Sequence, residues 1–149
     1  MTITKEDILA DRVTQPGFLR GKLPWWRLKL HRLGVGSRLG RIFDVMTPTR
    51  ATWNGHNASC WRSEILRVNG FDERMKYGGL DRELGERLIN AGVRGKQIRH
   101  RAICVHLWHG RDYVRHDDLN RNRAIRDETA RTSSAYTPHG IIKECSGAE

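Results

Sequence analysis

The stretch Val68–Gly92, VNGFDERMKYGGLDRELGERLINAG, decides how this chain is read. Its second half is helical by pattern: Leu80, Leu84 and Leu88 recur four residues apart, Ile89 widens the stripe, and Gly92 supplies a C-terminal stop. Asn69-Gly70 is a turn signal. Between them, Gly78 and Gly79 stand directly before Leu80-Asp81. Glycines let a backbone come close to something, and the first residues of the helix face the same space. The Asp81 carboxylate then sits among the unpaired N–H groups of a helix start, able to take a proton from a bound hydroxyl or to bind a sugar hydroxyl. An acid in a first turn also serves simply to stabilise its helix, and spacing alone favours that second reading.

Upstream, TKEDILADRV (Thr4–Val13) is a short helix with Thr4 as its cap and acids in its first turn. Leu19–Arg41 then carries seven lysines and arginines without one acid, and sets Trp25 and Trp26 among leucines. Such a segment can lie on an anionic membrane surface. Equally, it can be a solvated basic connector whose leucines pack on a core. From Thr52 the pattern changes to an extended segment through Asn57 and Cys60, then a helical turn from about Ser63 with Glu64 in it. Asn57, in GHNAS, reads as a polar residue of a buried strand, lining a pocket or satisfying backbone groups. KQIRHRAICVHLWH (Lys96–His109) reads as a strand to about Val105. NRNRAIRDETAR (Asn120–Arg131) is a surface helix, and Asp117-Asp118 belongs to a solvated face. The tail from Thr132 has little to bury and reads as mobile.

The 149 residues suffice for one domain with a core. No apolar run approaches a membrane span and the N-terminus lacks an apolar signal-peptide centre, so a cytoplasmic location is the default expectation. Cys60, Cys104 and Cys145 are odd in number and widely spaced, the pattern of reduced thiols. A net charge of +10 implies an anionic partner: nucleic acid, anionic lipid or a phosphate-bearing small molecule. No nucleic-acid-binding motif is present, so no specific nucleic acid is expected. His106 and His109 can share a metal only if their segment turns, and two imidazoles need a third ligand from elsewhere. Trp108 between them is either a stacking platform or core.

Taken in order, WNGHNASCWRSEILRVNGFDERMKYGGLDRELGERLINAGV, the strand after it and HLWH resemble the C-terminal half of family 2 type, GT-A fold glycosyltransferases. They are similar in particular to the galactosyltransferase C-terminal domain, over roughly Thr52 to His109. The resemblance implies an α/β fold, the C-terminal portion of a GT-A fold with a mixed sheet and flanking helices. It implies inverting transfer of a hexose from a nucleotide sugar, a UDP-hexose, to a glycan or lipid-linked acceptor. Asp81 falls on the family's catalytic base. His109, with His106 as co-ligand or alternative, falls on its metal position, where manganese or magnesium neutralises the leaving diphosphate. Tyr77, Gly78 and Gly79 fall on the segment lining the sugar pocket, while Asn57, Asn69, Gly70, Phe71 and Asp72 fall on segments shaping the same cleft.

Two positions depart from the family's pattern. Leu80 stands where the family has a glutamate that holds acceptor hydroxyls, and no Asp-x-Asp or βαβ succession precedes Thr52. The expected organisation is therefore a basic remnant of the donor-binding half (1–51), a catalytic and acceptor region (52–131) and a mobile tail (132–149). A missing N-terminal half, or self-association in its place, goes with that reading, as does a peripheral position at the inner face of the membrane. The alternative is a non-catalytic remnant, a sugar-binding or assembly module.

Overall fold

Thr4 opens the first helix with a reciprocal cap. Its hydroxyl accepts the Asp7 N–H at 3.3 Å, and the Asp7 carboxylate accepts the Thr4 N–H at 3.0 Å. In the computed structural model, which describes residues 3–22, 36–102, 104, 106, 110 and 114–143, that helix is α1 (Lys5–Leu9). It is followed by a 3-10 turn (Arg12–Thr14), α2 (Pro16–Lys22), α3 (Ser37–Met46), α4 (Arg62–Arg67), α5 (Leu80–Asn90) and α6 (His116–Thr132). The chain divides into two compact units: Met1–Arg50 with Gln97–Trp108, and Ala51–Lys96 with His109–Glu149.

The mixed sheet expected from the sequence is not there: the described residues are mostly helical and form no sheet. Their one β-type pairing is an isolated bridge between His139 and Lys143. A strand is stable only when a neighbour pairs its backbone, and here that backbone is used locally. The N–H groups of Arg101 and Ala102 both bond the Ile98 carbonyl, closing a turn, and the His100 N–H goes to the Asp44 side chain of α3. The extended segment around Asn57 likewise turns on itself, with Asn57 N–H on the Asn54 carbonyl. Asn57 is exposed, not a buried strand residue.

In the second unit α5 behaves as its period requires. Leu84 and Leu88 are buried with Val68, and Trp53, Cys60, Ile65, Ala91 and Val93 pack around them. Ile89 does not widen this stripe and is exposed. The stripe extends to the other side instead, through Glu83 and Arg87, each only 1% exposed. The α4 helix ends in the anticipated turn: Asn69 and Gly70 both take positive φ, 65° and 72°, and Gly70 N–H reaches back to the Ile65 carbonyl at 2.8 Å. With Met75 and Ile125, the trio Val68, Leu84 and Leu88 makes five buried apolar side chains among the unit's described residues, at about 1.5–3 kcal/mol each, a small core for a unit of this size. Polar contacts supply the rest of its definition.

Those contacts include residues past α6. Asn69 Nδ2 donates to the carbonyls of Thr137 (2.7 Å) and Ile142 (2.9 Å), its Oδ1 accepts the Ile142 N–H (2.7 Å), and its own carbonyl accepts the Ile141 N–H. Residues 137–142, expected to have little to bury, are thus held by a buried asparagine, and Thr137 itself is buried. Asp118, read as part of a solvated face, is also buried, with Lys76 at 3.9 Å. No helix among the described residues is long and apolar enough to cross a membrane.

Candidate functional site around Asp81

Gly79 caps α5 from the left-handed region at φ 87°, preceded by Gly78 at φ 104°, and this double turn places Asp81 in the first turn of the helix. Asp81 is half-buried. Its Oδ2 accepts the N–H of Gly55 at 3.0 Å and its Oδ1 accepts the N–H of Arg82 at 2.9 Å. A carboxylate offers about four lone-pair positions, so two protein donors leave capacity for a bound hydroxyl. A Cβ built on Gly55 would lie 3.4 Å from the Asp81 Cβ, and one on Gly85, a turn further along α5, would lie 2.6 Å from the Trp53 Cβ. The segment Trp53–Gly55 therefore lies directly along the start of α5, and the absence of a side chain at Gly85 permits it.

The two glycines before Leu80 do not open onto empty space on their Cβ side. A Cβ on Gly78 would fall 2.3 Å from the Leu119 Cδ2, and one on Gly79 would fall 3.3 Å from the Arg126 Cδ. Both neighbours belong to α6. The same helix fixes the turn through Asn122, whose Nδ2 donates to the carbonyls of Lys76, Tyr77 and Gly78 at 3.2, 3.1 and 2.7 Å. Arg126 forms an ion pair with Glu86 on α5. Its guanidinium is held above the ordinary value, first by that hydrogen bond and with smaller contributions from Asp127 and Asp81. The close approach expected at the glycines is real, and what approaches is protein.

The remaining sequence candidates separate into three groups. Tyr77 and Phe71 are exposed, and Leu80 is half-buried at the first position of α5. Asn69, Gly70 and Asp72 are buried in a structural joint two turns along α5, about 9 Å of helix rise from Asp81. There Arg87 donates to the carbonyls of Val68 and Gly70. Burial pushes the Asp72 carboxyl up, but hydrogen bonds from Arg74 and Thr137 and the Arg74 charge more than offset it and leave it below the ordinary 3.8. His106 is exposed, and His109 lies outside the described residues. Among the described residues no three His, Cys, Asp or Glu side chains come together as a metal site.

A cleft of about 270 Å³ lies between the Asp72–Arg74 turn, the second half of α6 and residues 134–139. Tyr136, His139 and Glu128 line it over a floor of Glu83 and Arg87, and Asp81 does not. Sequence reasoning missed Arg87, Glu83, Asn122 and Thr129, the polar residues that hold this unit together. The only signal for any of them was the four-residue spacing of Glu83 and Arg87 on one helix. No family model matches the chain, and neither a curated protein nor a solved structure matches it.

Proposed function

We propose that this chain provides the acceptor side of a glycosyl-transfer reaction with Asp81 as its base. In this reading the Asp81 carboxylate takes the proton of an acceptor hydroxyl while the hydroxyl oxygen attacks the anomeric carbon of a UDP-hexose. The bond to the diphosphate breaks, UDP leaves with the electron pair, and the anomeric centre inverts. The supporting observation is that two motif segments 26 residues apart meet at one carboxylate, through the 3.0 Å hydrogen bond from Gly55 N–H to Asp81 Oδ2. The acceptor is a glycan or a lipid-linked sugar. The divalent ion that goes with such chemistry finds no three-ligand group among the described residues, and no step is assigned to it.

A second reading, a non-catalytic sugar-binding or assembly module, is favoured by one observation: Leu119 and Arg126 fill the space beside Gly78 and Gly79. The two readings separate in one experiment on the full chain. UDP release from UDP-hexoses is measured with hydroxyl acceptors and manganese, alongside saturation-transfer NMR of the acceptor sugars. Asp81→Asn keeps one side-chain oxygen, for the Gly55 N–H, gives up the one that accepts from Arg82, and removes the proton acceptor. Catalysis by Asp81 predicts that the sugar contact survives while transfer falls about 10²–10⁴-fold. Transfer at the parental rate in Asp81→Asn refutes the base assignment. Sugar contact without transfer in the parent chain selects the binding module.

A further inference from the structure

Helix α3 is amphipathic with its faces reversed. Successive residues turn by about 100°, which puts Gly40 and Asp44 on one side and Leu39, Ile42 and Met46 on the opposite one. The polar side faces in. Gly40 is buried so closely that an added Cβ would lie 2.8 Å from the Arg101 Cγ and 3.0 Å from the His100 carbonyl oxygen. Asp44, also buried, accepts the His100 N–H at 2.9 Å and the Arg101 Nε–H at 2.7 Å, with the His100 Nδ1 at 3.0 Å. The apolar side faces out: Leu39 is 58% exposed, Ile42 53%, Val45 81% and Met46 70%. Phe43 marks one edge of that face, its ring against His100 with centroids 5.7 Å apart.

We infer that the outward face of α3 docks on an anionic lipid bilayer, lying in the plane of the headgroups. Large apolar side chains crowded on one face of a ten-residue helix bury readily at the acyl boundary. The charges agree with that occupant. Arg41 is exposed on one flank of the apolar face, Arg38 is exposed within it at the first turn of the helix, and Asp44, the helix's one acid, is turned inward and paired. Upstream, the sequence from Leu19 onward adds five more basic residues and two tryptophans before Ser37, again without an acid. A second copy fits less well, because a symmetric pairing of this face brings two arginines from each copy into one seam with no acid on the face to offset them. No helix among the described residues is long and apolar enough to cross a bilayer. This inference stands apart from the reading of Asp81.

The test is flotation of the full-length protein with vesicles of phosphatidylcholine alone and of equimolar phosphatidylcholine and phosphatidylglycerol, at physiological salt. The parent is expected to float with the anionic vesicles and not with the neutral ones. Ile42→Ser with Met46→Ser, both at exposed positions and so compatible with the fold, should weaken partitioning about ten-fold or more. Arg38→Gln and Arg41→Gln should each weaken it about five-fold. Circular dichroism confirms that each variant stays folded. Unchanged flotation of the Ile42/Met46 variant overturns the proposal and assigns binding to the basic run, which that variant keeps. Equal flotation with neutral vesicles overturns the charge argument. A folded parent that does not float overturns the proposal outright, and sedimentation of that parent as a dimer would show a second copy to be the occupant.

Discussion

Replacing Arg87 with methionine tests what holds the second unit together. Arg87 and Glu83 are both 1% exposed and joined by two hydrogen bonds, Nε to Oε1 at 2.7 Å and Nη2 to Oε2 at 2.9 Å. The same guanidinium also donates to the Val68 and Gly70 carbonyls, which tie the end of α4 to α5. Methionine fills similar volume but leaves the Glu83 carboxylate with Thr129 Oγ1, at 3.0 Å, as its remaining donor. Orphaning one member of a buried ion pair costs about 3–5 kcal/mol. Glu83 and Arg87 form the floor of a cleft that water can enter once the guanidinium is removed, so the lower end, about 3 kcal/mol, is expected. For a chain of this size that lowers Tm by roughly 6–12 °C. Urea titration followed by circular dichroism should show a lower midpoint at unchanged slope. The decisive comparison is the double variant Glu83→Gln, Arg87→Met: it removes the stranded charge and should recover about 1–2 kcal/mol of the single variant's loss. A double variant less stable than Arg87→Met alone would refute the reasoning, because stranded charge would then not be the source of the cost.

Other substitutions probe the polar contacts one at a time. A Cβ on Gly140 would fall 1.6 Å from the Asn69 carbonyl oxygen, which cannot move aside, so Gly140→Ala should detach residues 137–142. Hydrogen exchange should then show lost protection at the Ile141 and Ile142 amides, both bonded to Asn69. Asn122→Asp turns a donor to three carbonyls into an acceptor facing them and should cost about 2–3 kcal/mol in thermal unfolding. Asp72 is depressed in the folded state, so its contribution is complete above the unfolded value of 3.8 and is lost as pH falls through the folded one. Asp72→Asn should therefore lower the urea midpoint at neutral pH and flatten its decline towards about pH 3.

What could be read in the sequence was the structure that a short stretch determines by itself. The Thr4 cap, the Leu80–Leu84–Leu88 period, the Asn69-Gly70 turn and the stop at Gly92 each depend on neighbours within a few residues. The sheet was illegible because pairing is not a property of one segment: Ile98–Ala102 has strand-like composition, yet its N–H groups close a turn and reach Asp44, more than fifty residues away. Gly78 and Gly79 announced that something comes close, but Leu119 and Arg126 come from a helix some forty residues further on. Asn122 and Thr129 sit in a sequence polar on every side, where nothing marks which polar residues will be buried. In α3 the usual rule that apolar residues face inward points the wrong way.

The lost sheet and the polar interior have one physical origin. Loop backbone at the centre of a unit must be hydrogen-bonded, and where no strand ladder does this, side chains must. Asn69 serves residues 137–142, Arg87 serves Val68 and Gly70, and Asn122 serves residues 76–78, each nearly inaccessible to solvent. Asp81 resembles them in holding the Gly55 N–H, and that resemblance sharpens the test of its role. The other three are buried, whereas Asp81 is half-buried and keeps unfilled lone pairs. If it were only a fourth pin, Asp81→Asn, which still offers an oxygen to Gly55 but gives up the Arg82 contact, would lower stability by about 1 kcal/mol and change nothing else. A catalytic Asp81 makes the same small change in stability and loses transfer. Stability and turnover measured on that one variant therefore distinguish a side chain that replaces a strand from one that takes a proton.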